Sequence, residues 1–171
     1  METGQALCHR YTGWDDHGFD WIRASASMPL VSRMVEIEGR KLLDGGIADS
    51  IPAACFEEMG YTRDVVILTQ PEGYRKKKNQ ALPLVRRKYR AYPKLVEAME
   101  RRHLVYNAEL DYVAKAKAEG RMFVIQPEGA LAVRRIEKNP EKLRAAYEEG
   151  RKTAIRQREA LSEFLGQKNG D

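Results

Sequence analysis

Cysteine is nearly absent: Cys8 and Cys55 are the two in 171 residues. Two cannot build a disulfide framework, so idle or buried thiols in a reducing cytoplasm are the expectation. No stretch approaches the roughly 18–20 uninterrupted apolar residues of a membrane-spanning helix. The opening Met1-Glu2-Thr3-Gly4-Gln5 has neither the basic start nor the apolar run of a secretory leader. Missing as well are Gly-x-Ser-x-Gly, Gly-x-x-x-x-Gly-Lys-Ser/Thr, Gly-x-Gly-x-x-Gly and Cys-x-x-Cys. The chain therefore shows no nucleophile elbow, phosphate cradle or redox pair, and no cofactor is expected. Histidine is scarce, with His9, His17 and His103 scattered. His9 and His17 with Asp15, Asp16 and Asp20 match no metal-ligand spacing, so that stretch reads as a polar loop.

What is present is a folded domain's composition, 43% hydrophobic and 32% charged. The length is enough for one domain to bury roughly 70% of its unfolded surface. The charge is unevenly placed. Arg75, Lys76, Lys77, Lys78, Arg86, Arg87, Lys88, Arg90 and Lys94 fall between Gly73 and Val96 with no acid among them. Without these nine the net charge of +5 becomes −4. Such a block is either a solvated face or an attractor of lipid or nucleic-acid phosphate, through contacts that weaken with salt.

Along the chain, Phe19–Ser27 reads as a short helix stopped by Pro29. Val35–Leu43 alternates apolar and polar residues around Glu38-Gly39, a hairpin pattern. Ser50 is placed to cap a short helix carrying Cys55, Phe56 and Met59, with Pro52 in its first turn and Gly60 at its end. Val65–Thr69 and Met122–Ile125 are continuous apolar runs, as in strands buried between helices. Leu95, Met99, Tyr106, Leu110 and Val113 form one face of a long helix between them. Asn139-Pro140-Glu141 opens a last helix with Leu143, Tyr147, Gly150, Ala154, Leu161 and Leu165 on its apolar face. This order predicts a layered α/β fold without a dividing linker. Gln70-Pro71-Glu72-Gly73 and Gln126-Pro127-Glu128-Gly129 read as two strand-ending turns.

The richest local string is Leu43-Asp44-Gly45-Gly46 with Ile51-Pro52 beyond it. An acid at a strand end occupies the position where α/β folds place active groups. Together with Trp21-Ile22-Arg23-Ala24-Ser25-Ala26-Ser27-Met28-Pro29-Leu30 and the intervening hairpin, it resembles the patatin-like phospholipase family. The resemblance is most specific from Trp21 to Pro52 and weaker after Val65. It implies a partial three-layer α/β/α fold, mostly parallel, with helices on both faces of the sheet. Residues 1–171 would be the C-terminal part of one patatin-like domain, with a helical extension over about 139–166.

By the same resemblance Asp44 would be the aspartate of a Ser–Asp dyad, with Gly45 and Gly46 shaping its turn. The family's serine and glycine-rich oxyanion loop precede the aspartate, and this chain has neither. The implied activity is lipid-ester hydrolysis by a parent protein, the fragment alone being inactive. The alternative is a non-catalytic module binding anionic membrane or nucleic acid through residues 75–94. Expected partners are an ester substrate, anionic membrane touching Arg75, Lys76, Lys77 and Lys78 peripherally, and other copies of the truncated chain.

Overall fold

The computed structural model describes residues 1–10, 18–134 and 136–166. Helix and strand are mixed, and the chain divides into two compact units. One comprises Met1–Cys55 with Arg75–Leu110, the other Phe56–Tyr74 with Asp111–Asp171.

The first unit opens with helix α1, Gly18–Ser25, in which Asp20 and Arg23 form an ion pair one turn apart at 2.7 Å. Strands β1 (Val35–Ile37) and β2 (Arg40–Leu42) make the expected antiparallel hairpin, with Ile37 opposite Arg40. Its two turn residues, Glu38 and Gly39, have φ of 50° and 72°. Paired positive φ values match the right-handed twist of the flanking strands, and this explains a glycine in the turn. Val35 and Ile37 bury beside Ala24, with Trp21 and Leu42 packed against them.

A tight 3₁₀ turn, Gly45–Ile47, follows directly. Helix α2 (Ala53–Glu58) comes next and carries the chain out of this unit. On its return come α3, Leu82–Lys88, and the first part of α4, Pro93–Ala118. Ile47, Leu82, Val85, Tyr89, Leu95 and Met99 form the main core here. The buried Tyr89 also offers its hydroxyl to the Leu30 N–H at 3.0 Å. That bond supports a non-glycine residue at φ 71°, a sterically costly conformation.

In the second unit β3 (Asp64–Ile67) and β4 (Met122–Ile125) pair in parallel, Asp64 opposite Met122 and Ile67 opposite Ile125. The sheet is thus small and parallel, compatible with an α/β class. Its strands differ from expectation in burial. Met122, Val124 and Ile125 are buried, whereas Val65 is 40% and Ile67 72% exposed. A run of apolar residues indicates a strand but not whether a neighbour covers it.

Asn139 caps α5 (Pro140–Arg156), its side chain accepting from the N–H groups of Glu141 and Lys142. The last helix is not continuous: α6, Arg158–Gly166, starts after a break at Gln157. Its expected apolar face is also displaced. Leu143, Tyr147 and Leu165 are exposed, while Thr153 and Phe164 are buried. Phe164 packs near Phe123, ring centres 5.7 Å apart. Of the two Gln-Pro-Glu-Gly copies, the first closes a turn, Tyr74 N–H to Pro71 carbonyl, with Gly73 at φ 77°. Gly129 has no such φ. The copies share letters and not geometry.

Candidate active site

Asp44 lies two residues beyond β2, where the hairpin ends. Its backbone N–H donates to the Ser27 carbonyl at 2.9 Å, which ties the strand end to the segment after α1. Its side-chain Oδ1 accepts the Gly46 N–H at 2.8 Å, capping the 3₁₀ turn. Among the described residues no hydrogen bond is made to the other carboxylate oxygen. The anchored oxygen fixes how the carboxylate is turned.

The two glycines play different parts. A Cβ on Gly46 would lie 3.1 Å from Asp44 Oδ1, 3.6 Å from an Arg102 nitrogen and 3.6 Å from Ser50 Oγ. A side chain there would crowd the Asp44 carboxylate, which would have to give by a few tenths of an ångström. Gly45 has nothing within 4 Å of a notional Cβ and no positive φ. The two positions thus differ in the room they leave for a side chain. Gly45 instead lines a cavity of about 390 Å³, walled by Trp21, Ile22, Leu42, Leu43, Ile47 and Leu95 among others. His9 stacks on Trp21 in this wall, ring centres 4.0 Å apart.

The Gly46 carbonyl is doubly held: Ser50 Oγ and Arg102 Nε each donate to it at 2.6 Å. Ser50 is thus not the side-chain cap expected for α2. Its own N–H and that of Ile51 donate to the two carboxylate oxygens of Glu109, both at 3.1 Å. A glutamate on α4 instead holds the backbone just ahead of α2. Burial pushes the Glu109 carboxyl above its usual range, and the nearby Asp49 carboxylate adds to that. Asp49 is raised too, chiefly by its own burial. Neither Arg102 nor Glu109 stands out in the sequence. Their seven-residue spacing, two turns on one helix face, is the available signal.

The remaining candidates lie elsewhere. Arg75 donates to the Asn107 carbonyl and Lys76 sits over the Tyr106 ring, 4.1 Å from its centre. Arg86 pairs with Glu100 at 2.6 Å and Lys94 with Glu97 at 3.1 Å. Lys77, Lys78, Arg87, Lys88 and Arg90 are exposed. The fold brings Cys8 and Cys55 next to each other, with Cα atoms 7.3 Å apart. A contact across 47 residues leaves no mark in the sequence. Asp15, Asp16 and His17 lie outside the described residues, among which no cluster of three or more His, Cys, Asp or Glu could hold a metal. No helix among them is long and apolar enough to cross a membrane.

Set against known families, residues 9–56 match the model for Patatin-like phospholipase. Residues 92–166 match a Domain of unknown function (DUF6363). Each covers less than half of the chain, and no curated protein matches it. The likeness to a lipid-hydrolase family therefore rests on the stretch holding α1, the hairpin and the Asp44 turn, in the N-terminal third.

Proposed function

We propose that this chain is the C-terminal part of a patatin-like serine acyl hydrolase, with Asp44 as the proton-accepting half of a Ser–Asp dyad. The observation that carries the reading is the Asp44 carboxylate, anchored through one oxygen and accepting no hydrogen bond from the described residues at the other, inside the stretch matching that family. An ionised carboxylate in reach of a serine hydroxyl takes its proton as the oxygen attacks an ester carbonyl. It then returns that proton to the departing alcohol, and water releases the acyl group by the same route. The Ser27 and Ser50 hydroxyls donate to the carbonyls of Arg23 and Gly46 and not to the Asp44 carboxylate. Serine and oxyanion donors would come from chain preceding Met1. The apolar cavity bordered by Gly45 is of a size that receives small ligands, and it supports an acyl substrate.

The basic segment supplies a second, peripheral contact in this reading. Leu84 is 55% exposed on α3, whose last turn carries Arg86, Arg87 and Lys88. Exposed cations beside an exposed apolar side chain suit an anionic lipid surface. A cytoplasmic protein, at most peripheral at the membrane, goes with this. The uncovered β3 residues support self-association of the isolated chain. The test of the enzyme reading is ester hydrolysis by a protein extended through its upstream coding sequence, with and without Asp44→Asn.

A further inference from the structure

We propose that Arg102 and Glu109 of α4 are positioning residues for Asp44, a proposal that rests on the dyad reading above. Arg102 Nε and Ser50 Oγ occupy the Gly46 carbonyl, so both of its acceptor directions are filled. Glu109 fixes the N–H groups of Ser50 and Ile51, which holds Ser50 in place to make that contact. The same Gly46 supplies the N–H that orients Asp44 Oδ1 at 2.8 Å. Glycine is the residue whose backbone is least restrained by itself, so its orientation must be set from outside. The two α4 side chains set it.

The placement has a consequence for chain organisation. Arg102 and Glu109 lie within residues 92–166, matched to the domain of unknown function, while Asp44 lies within 9–56. The first helix of that domain thereby acquires a role: it carries the clamp that keeps one carboxylate oxygen tied and the other presented. Arg102 meets the turn at the Gly46 carbonyl and Glu109 at the Ser50 and Ile51 N–H groups. They act through Gly46.

Two measurements test this. In the 171-residue chain, hydrogen exchange of the Gly46 amide is followed by NMR in the unaltered protein, Arg102→Met and Glu109→Gln. Arg102→Met keeps an apolar stem but no donor. Gly46 should lose protection in both variants while the Ile37 and Leu42 amides of the hairpin keep theirs. In the upstream-extended protein, Arg102→Met should lower kcat by about 10- to 100-fold with KM little changed, the scale of a misplaced catalytic group. Arg102→Lys, still able to donate to the carbonyl, should recover most of that loss.

Retained Gly46 protection, or full kcat in a folded Arg102→Met protein, overturns the proposal. Should Arg102→Met not fold, Glu109→Gln decides by the same two readouts. The dyad reading fails separately, if Asp44→Asn leaves turnover intact. The clamp alone fails if Asp44→Asn abolishes turnover while Arg102→Met and Glu109→Gln change nothing.

Discussion

The Asp44 N–H donates to the Ser27 carbonyl at 2.9 Å, joining two parts of the sequence motif 17 residues apart. Ser27 is 5% exposed, and its Oγ donates to the Arg23 carbonyl at 2.7 Å, closing the end of α1. The Ala24-Ser25-Ala26-Ser27 segment thus acts as the seat on which Asp44 rests. Ser27→Ala removes one buried bond and leaves an α1 carbonyl unmatched. Chemical denaturation should show a loss of about 1 kcal/mol. An unchanged midpoint would mean that the hydroxyl holds nothing.

The two glycines after Asp44 should respond differently to alanine. Gly46→Ala brings a methyl within 3.1 Å of Asp44 Oδ1 and turns the carboxylate. In the upstream-extended protein it should lower turnover more than it lowers Tm. Gly45→Ala meets no atom within 4 Å and should leave Tm unchanged. Equal losses of Tm for both would contradict the close approach at Gly46.

Half-buried carboxyls give the fold a defined pH response. Glu109 and Asp49 are both held above their ordinary range by burial. The folded state therefore binds more protons than the unfolded chain, and each group's contribution to stability declines as pH rises from about 4 through its folded value. Glu109→Gln removes one such group. Between mildly acidic and neutral pH, wild-type stability should fall more than that of the variant. Parallel curves would show that partial burial does not raise the Glu109 carboxyl.

The basic segment makes a surface prediction. Arg75 and Lys76 engage Asn107 and Tyr106, so Lys77 and Lys78 are the changes that spare the fold. Binding to phosphatidylserine vesicles should weaken steeply with salt and fall when Lys77 and Lys78 become Gln together. Salt-independent or absent binding would leave a solvated charged face.

Local patterns in the sequence translate well into elements and poorly into neighbours. The hairpin is legible because alternation and a Glu38-Gly39 turn are local features. Asn139 is legible as a cap for the same reason. The exposure of Ile67, the burial of Thr153 and Phe164, and the Cys8–Cys55 contact depend on which segments meet. At the site, Asp44 is visible through a motif, and the fold adds that one of its carboxylate oxygens caps the turn that follows. Arg102 and Glu109 are invisible for a physical reason: a charged pair seven residues apart on a helix usually faces water. Only the fold reveals that this one faces a glycine carbonyl and two backbone N–H groups.

Asp44→Asn in the upstream-extended protein tests the central claim most directly, because it keeps the shape of the side chain and removes the proton acceptor. Hydrolysis of a p-nitrophenyl ester should fall by about 10²-fold or more, the scale of a lost general base. Tm should stay nearly unaltered, and the 171-residue chain alone should show no hydrolysis. Near-normal turnover in folded Asp44→Asn, or ester hydrolysis by the 171-residue chain itself, would contradict the dyad and return Asp44-Gly45-Gly46 to an ordinary turn.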